Sequence, residues 1–110
     1  MLTAIKEAVS YIRERIPESP DTAIILGTGL GKIVDHLEVE QKVDYASIPH
    51  FPVSTVEGHE GNLISGKLGE KRVLVMQGRF HFYEGYDMQE VIFPIRVMKF
   101  LGIETLIVSN

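Results

Sequence analysis

The chain has 110 residues, 45% of them hydrophobic, with no cysteine and a formal net charge of -4, which bounds it to one domain with enough apolar residues for a core. The acidic balance and the lack of any lysine or arginine run argue against a nucleic-acid backbone as partner. Without cysteine there is no disulfide framework, thiolate metal site or cysteine nucleophile, and the composition fits a reducing compartment. The opening residues lack the layout of a secretory leader and no apolar stretch approaches the roughly 20 residues that cross a bilayer, so no membrane partner and a cytosolic location are expected.

Residues 3–16 carry Ile5, Ala8, Val9, Ile12 and Ile16 at helical spacing, with Thr3 as N-cap and Pro17 as stop, which predicts an amphipathic helix. Ser19-Pro20-Asp21 is a turn, and Thr22 to Leu26 is an unbroken apolar run of the type buried on both faces of a parallel sheet. Gly27-Thr28-Gly29-Leu30-Gly31 follows directly, and Leu30 to Leu37 is expected to form a short helix with its positive end toward that loop. Val39 to Tyr45 alternates, while Ser47 to Gly61, with Pro49, Pro52, Gly58 and Gly61, reads as a long irregular loop of the kind usually tied to function.

Asn62 to Leu68 and Lys71 to Gln77 predict an antiparallel pair around a Gly69-Glu70 turn. Asp87 opens a second helix with a D-x-x-E pattern to Glu90. That helix is apolar almost all round (Val91, Ile92, Phe93, Ile95, Val97, Met98, Phe100, Leu101), so it is expected to be buried, kinked at Pro94 and capped at Gly102. Glu104 to Ser109 reads as another buried strand. The fold class is α/β in a single domain, with no internal repeat.

Two segments carry candidate chemistry. The Gly27–Gly31 loop can surround an anion with backbone N–H groups beside the Thr28 hydroxyl, and Gly78-Arg79-Phe80-His81 supplies a planar cation and a titratable imidazole. Arg79 and His81 are two apart, so an extended backbone aims both the same way. A P-loop is excluded by Leu26 and Ile33, and a dinucleotide fingerprint by Lys32, which leaves a site for an anion no larger than one phosphoryl group. The plainer readings stay open: a tight turn into a helix for the loop, and a surface ion pair and a satisfied polar residue for Arg79 and His81. His59, between Gly58 and Gly61, reads as an exposed loop histidine. His36 and His50 have no supporting pattern, and the four histidines lack metal-ligand spacing. Phe82, Tyr83 and Tyr86 suit either a core cluster or a platform that stacks on a ring.

The stretches IILGTGLG, TVEGHEGNLISGKLG and, above all, VMQGRFHFYEGYDMQEVIFPIRVMKFLGIETLIVSN resemble the N-terminal part of the trimeric-type purine nucleoside phosphorylases. The related methylthioadenosine phosphorylases tend to carry an R-H-G-R-x-H version of the clamp, and Met76-Gln77-Gly78-Arg79-Phe80-His81 favours the purine nucleoside branch.

The resemblance implies the first part of a phosphorylase-like mixed sheet flanked by helices, with the sheet incomplete, and a homo-oligomer, trimeric in the intact family. It implies phosphorolysis: phosphate displaces a purine from C1′ of a ribonucleoside or deoxyribonucleoside. Phosphate is then a co-substrate, and no metal or organic cofactor is implied. Thr28 stands where the family usually has the serine of a G-S-G-L-G loop, and it loses no hydroxyl by the change. Arg79, Phe80 and His81 fall on the phosphate clamp, with Arg79 and His81 as its catalytic groups. His59 falls on the loop histidine near phosphate and sugar, and Tyr83 on the residue beside the sugar. Ser109-Asn110 begins the segment before the family's A-A-G-G base-site loop. The family's base-binding glutamate and asparagine lie downstream, so these 110 residues are expected to form the phosphate-and-sugar half and to show no appreciable turnover alone. A phosphate-binding module without catalysis and a scaffold with an unformed site are the rival readings.

Overall fold

Five strands, β1 (Thr22–Ile25), β2 (Glu38–Asp44), β3 (Asn62–Leu68), β4 (Lys71–Gln77) and β5 (Thr105–Val108), join in one mixed sheet of order β2-β3-β4-β1-β5. The computed structural model describes residues 2–26, 28–52, 61–78 and 87–109, the side chains of residues 28–31 excepted. β3 and β4 form the antiparallel hairpin that the Gly69-Glu70 turn predicts, from Leu68↔Lys71 to Asn62↔Gln77. β1 then pairs in parallel with β4 on one side and β5 on the other.

The sheet buries side chains on both faces because its central strands are apolar without alternation. Ala23, Ile25, Leu63, Leu74 and Met76 point to one face, where they meet Ile5, Ala8, Val9 and Ile12 of helix α1 (Leu2–Arg15) and Phe93, Val97 and Met98 of helix α2 (Met88–Phe100). Ile24, Ile64, Val73 and Val75 point to the other, covered by Leu26, Leu37 and the half-buried Ile33 and Val34. Those last residues belong to or flank a 3₁₀ segment, Thr28–His36, which stands where the sequence predicts a short helix from Leu30.

Local signals fix the helix ends. Asp87 accepts from the Glu90 N–H at 2.8 Å while Glu90 accepts from the Asp87 N–H at 3.2 Å, so the predicted capping box is present; a cap of this kind contributes about 1 kcal/mol. At the other end the Gly102 N–H donates to Lys99 and the Ile103 N–H to Met98, both at 3.1 Å, the paired bonds of a Schellman motif. α2 runs through Pro94 without interruption. α1 begins one residue earlier than expected, which places Thr3 inside its first turn rather than at the N-cap.

Two burial expectations are corrected. α2 buries Phe93, Pro94, Val97 and Met98 but leaves Ile95 and Phe100 exposed, because the sheet and α1 cover only one of its faces. β5 is exposed along its whole length, with Leu106 at 39%, Ile107 at 47% and Val108 at 53%. An apolar run identifies a strand but carries no information about which neighbours cover it, and among the described residues β5 pairs only with β1.

An apolar edge strand with open N–H and C=O groups is a template for pairing with a further strand. The 110-residue chain is expected to self-associate through β5. Sedimentation at rising concentration should show a growing mean mass, and Ile107→Lys should return the chain to monomer. Equal association of wild type and Ile107→Lys would place the contact elsewhere.

Candidate functional site

Parallel pairing sets the geometry of the candidate site. Ile25 lies level with Met76 of β4 and with Val108 of β5, so three neighbouring strands about 4.8 Å apart end at one edge of the sheet. The ladder closes there with the Leu26 N–H donating to Met76 O at 3.2 Å and the Ser109 N–H donating to Ile25 O at 3.1 Å. The chain leaving β1 enters Gly27-Thr28, the chain leaving β4 enters Gly78-Arg79, and the chain leaving β5 enters Ser109-Asn110. β3 runs the opposite way, so its first residue Asn62, opposite Gln77, lies at the same edge; the segment bearing His59 joins the sheet there. Four segments distant in sequence are thus anchored side by side, at the carboxyl edge where open α/β sheets hold their ligands.

Of the predicted site residues, Thr28 is placed through its backbone, at the start of the 3₁₀ segment. The Thr28 side chain and residues His59, Arg79, Phe80, His81 and Tyr83, with Phe82, Glu84 and Tyr86, lie outside the described residues. What the structure brings together is their points of attachment: Leu26, Gly61, Gly78 and Ser109. His50 stands apart: its Nε2 lies 3.0 Å from the Glu7 carboxylate on α1 and so ties that loop to the helix. No cluster of metal-ligating side chains occurs among the described residues, and no described helix is long and apolar enough to cross a membrane.

One residue at this edge was not singled out by sequence. Tyr45 marks only the end of an alternating strand in the sequence, yet it is 2% exposed and touches two of the attachment points. Its N–H donates to Gly61 O at 3.1 Å and its hydroxyl donates to Gly78 O at 2.9 Å. The ring lies so close over Gly61 that a Cβ there would collide with it. Phe51 supports the ring at 5.6 Å between centroids, and Phe93 of α2 meets Phe51 edge-on at 6.0 Å.

The opposite edge is of different character. There the Arg72 fork holds Glu40 through two 2.8 Å bonds and reaches Glu18 at 3.0 Å, while Lys71 pairs with Asp21 at 3.1 Å. These partners hold the Glu40 and Asp21 carboxyls below the usual carboxylate range. Both of these cations are held by carboxylates.

Comparison with known proteins agrees with this arrangement. The sequence profile of the phosphorylase superfamily matches residues 21–110. Purine nucleoside phosphorylase 1 of Geobacillus stearothermophilus is 55% identical over 108 residues, which is 98% of this chain and 39% of that protein. The structure superposes with a TM-score of 0.89 on Schistosoma mansoni purine nucleoside phosphorylase in complex with inosine, at 44% identity over 98% of this chain and 38% of the other. Isoform 2 of the same organism's enzyme, in complex with cytosine and ribose-1-phosphate, gives 0.90 at 44% identity, again over 98% and 38%. The chain therefore spans about two fifths of the length of the relatives it matches. These relatives bear the purine nucleoside name, so the methylthioadenosine branch is not favoured.

Burial pushes the Tyr45 phenol up from its ordinary value of 10.0. Below pH 10 both folded and unfolded chains keep this proton; above it only the unfolded chain releases it, so stability falls as pH rises. The expected slope approaches about 1.4 kcal/mol per pH unit. Denaturant melts between pH 8 and 12 should show this alkaline loss in wild type and less of it in Tyr45→Phe. The same pH dependence in both would contradict the assignment.

Proposed function

Because the chain belongs to the phosphorylase superfamily, we propose that the protein built on it is a purine nucleoside phosphorylase, cleaving purine ribonucleosides or deoxyribonucleosides with inorganic phosphate. The observation that carries this reading is the common edge at which the segments after β1, β4 and β5 and before β3 are anchored. Relatives solved with inosine and with ribose-1-phosphate supply the substrate class.

In this reading the C1′–N9 bond breaks and its electron pair leaves with the purine, which takes up a proton. A phosphate oxygen forms the new bond to C1′. Positive charge develops on the sugar as the bond lengthens, and a phosphate dianion on the opposite face both stabilises and captures it. Thr28 and the amides of Gly27–Gly31 hold that dianion, Arg79 binds it through a planar fork, and His81 adds a donor when protonated. Phe80, between Arg79 and His81 in sequence, completes the phosphate-binding clamp. His59 sits near phosphate and sugar, and Tyr83 packs beside the sugar.

Phosphate is the co-substrate, and the reading calls on no other cofactor. The residues that receive the purine belong to the remainder of the fold, and the assembly is a homo-oligomer, a trimer as the resemblance implies. The cysteine-free composition suits the cytosol, where purine salvage takes place.

Calorimetric titration of the protein with inorganic phosphate tests the reading. Wild type should bind one phosphate, and Arg79→Ala should weaken binding by a factor of about 10 to 100, as expected for loss of a charge-assisted pair. Equal affinity in wild type and Arg79→Ala would remove the clamp from the account.

A further inference from the structure

The sheet ladders stop at one level at the carboxyl edge. The last pairs are Asp44↔Asn62 between β2 and β3 and Asn62↔Gln77 between β3 and β4. Continuing the same register, the next residues across the three strands are Tyr45, Gly61 and Gly78. Gly61 and Gly78 form no ladder pair with each other; Tyr45 bonds to both instead, through its N–H and through its hydroxyl.

The geometry explains each residue type. To reach from the outer strand to the third, the Tyr45 side chain must cross the middle one, and it crosses at Gly61, where the missing Cβ leaves room for the ring. Gly78 has φ 114°, a conformation that glycine adopts readily, and its carbonyl accepts from the Tyr45 hydroxyl. That carbonyl belongs to the peptide joining Gly78 to Arg79. A bond to it therefore restrains the carbonyl from which the Arg79 segment leaves the sheet.

The geometry points to Tyr45 as a positioning residue of the phosphate site: its hydroxyl orients the Gly78–Arg79 peptide, while its ring and N–H fix Gly61, where the His59 segment rejoins the sheet. This rests on the phosphate reading above. A phenylalanine supplies the ring but no donor, so the hydroxyl is what couples the two attachment points. Phe51 braces the ring and is itself met by Phe93.

The test is steady-state kinetics of the full-length protein with inosine and inorganic phosphate, well below the melting temperature of every variant. Tyr45→Phe should raise the KM for phosphate about tenfold, a cost in line with a clamp displaced by a fraction of an ångström, with a smaller change in the KM for inosine. Gly61→Ala, which drives the ring off its bed, should produce the same split. Val73→Ala, in the core on the opposite face of the sheet from Tyr45, should lower the melting temperature and leave the phosphate KM unchanged. Arg79→Ala separates the two levels of the argument. If it raises the phosphate KM and Tyr45→Phe does not, positioning by Tyr45 is overturned and the phosphate site stands. If Arg79→Ala leaves the phosphate KM unchanged, the phosphate reading fails and takes the positioning role with it. A Tyr45→Phe variant with only a lower melting temperature, or with both KM values raised equally, also overturns the proposal.

Discussion

The parallel pairing of β1 with β4 and β5 is the constraint on which everything else rests. Ile25 sits between Met76 and Val108, residues about fifty and eighty positions away, and this register alone brings the glycine loop, the arginine segment and the Ser109 segment to one edge. The pairing holds because Ala23, Ile24, Leu74 and Val75 are buried on both faces of the sheet. Sliding β1 by one residue would exchange its two faces and carry Ala23 and Ile25 away from α1 and α2. Core packing thus sets the register, and the register sets which segments meet.

The two edges of the sheet divide the work. The edge at Asp21, Lys71 and Arg72 is laced by ion pairs, Lys71 with Asp21 and Arg72 with both Glu18 and Glu40. The carboxyl edge is formed by glycines and by one buried tyrosine, whose hydroxyl replaces the next rung of the ladder. Its ring, Phe51 and Phe93 form a continuous aromatic path from that edge to α2. Glycine backbone cannot rely on side-chain packing of its own, and a stiff aromatic residue next to it supplies the missing constraint.

The sequence made the local elements plain and the non-local ones only in part. The β3–β4 hairpin, the capping box at Asp87 and the closing turn at Gly102 are each specified within a few residues, and each stands as expected. The burial of β5 was misread because an apolar run reports the strand and not its cover. Helix α2 was misread for the same reason, its apolar circumference exceeding the face that the sheet and α1 occupy. For the site, the motif residues are visible as types and spacings, whereas the common edge at which their segments are attached follows only from the strand order. Tyr45 carried no signal at all, because its role arises from three strands ending level, a property of register and not of any local pattern.

The most direct measurement is a crystal structure of the full-length protein with inorganic phosphate. The account predicts one tetrahedral anion over the carboxyl ends of β1 and β4, with the Thr28 hydroxyl, an amide of the Gly27–Gly31 loop and the Arg79 guanidinium all about 3 Å from its oxygens. A phosphate bound at another edge, or an Arg79 side chain directed away from Thr28 while the sheet keeps its register, would contradict it.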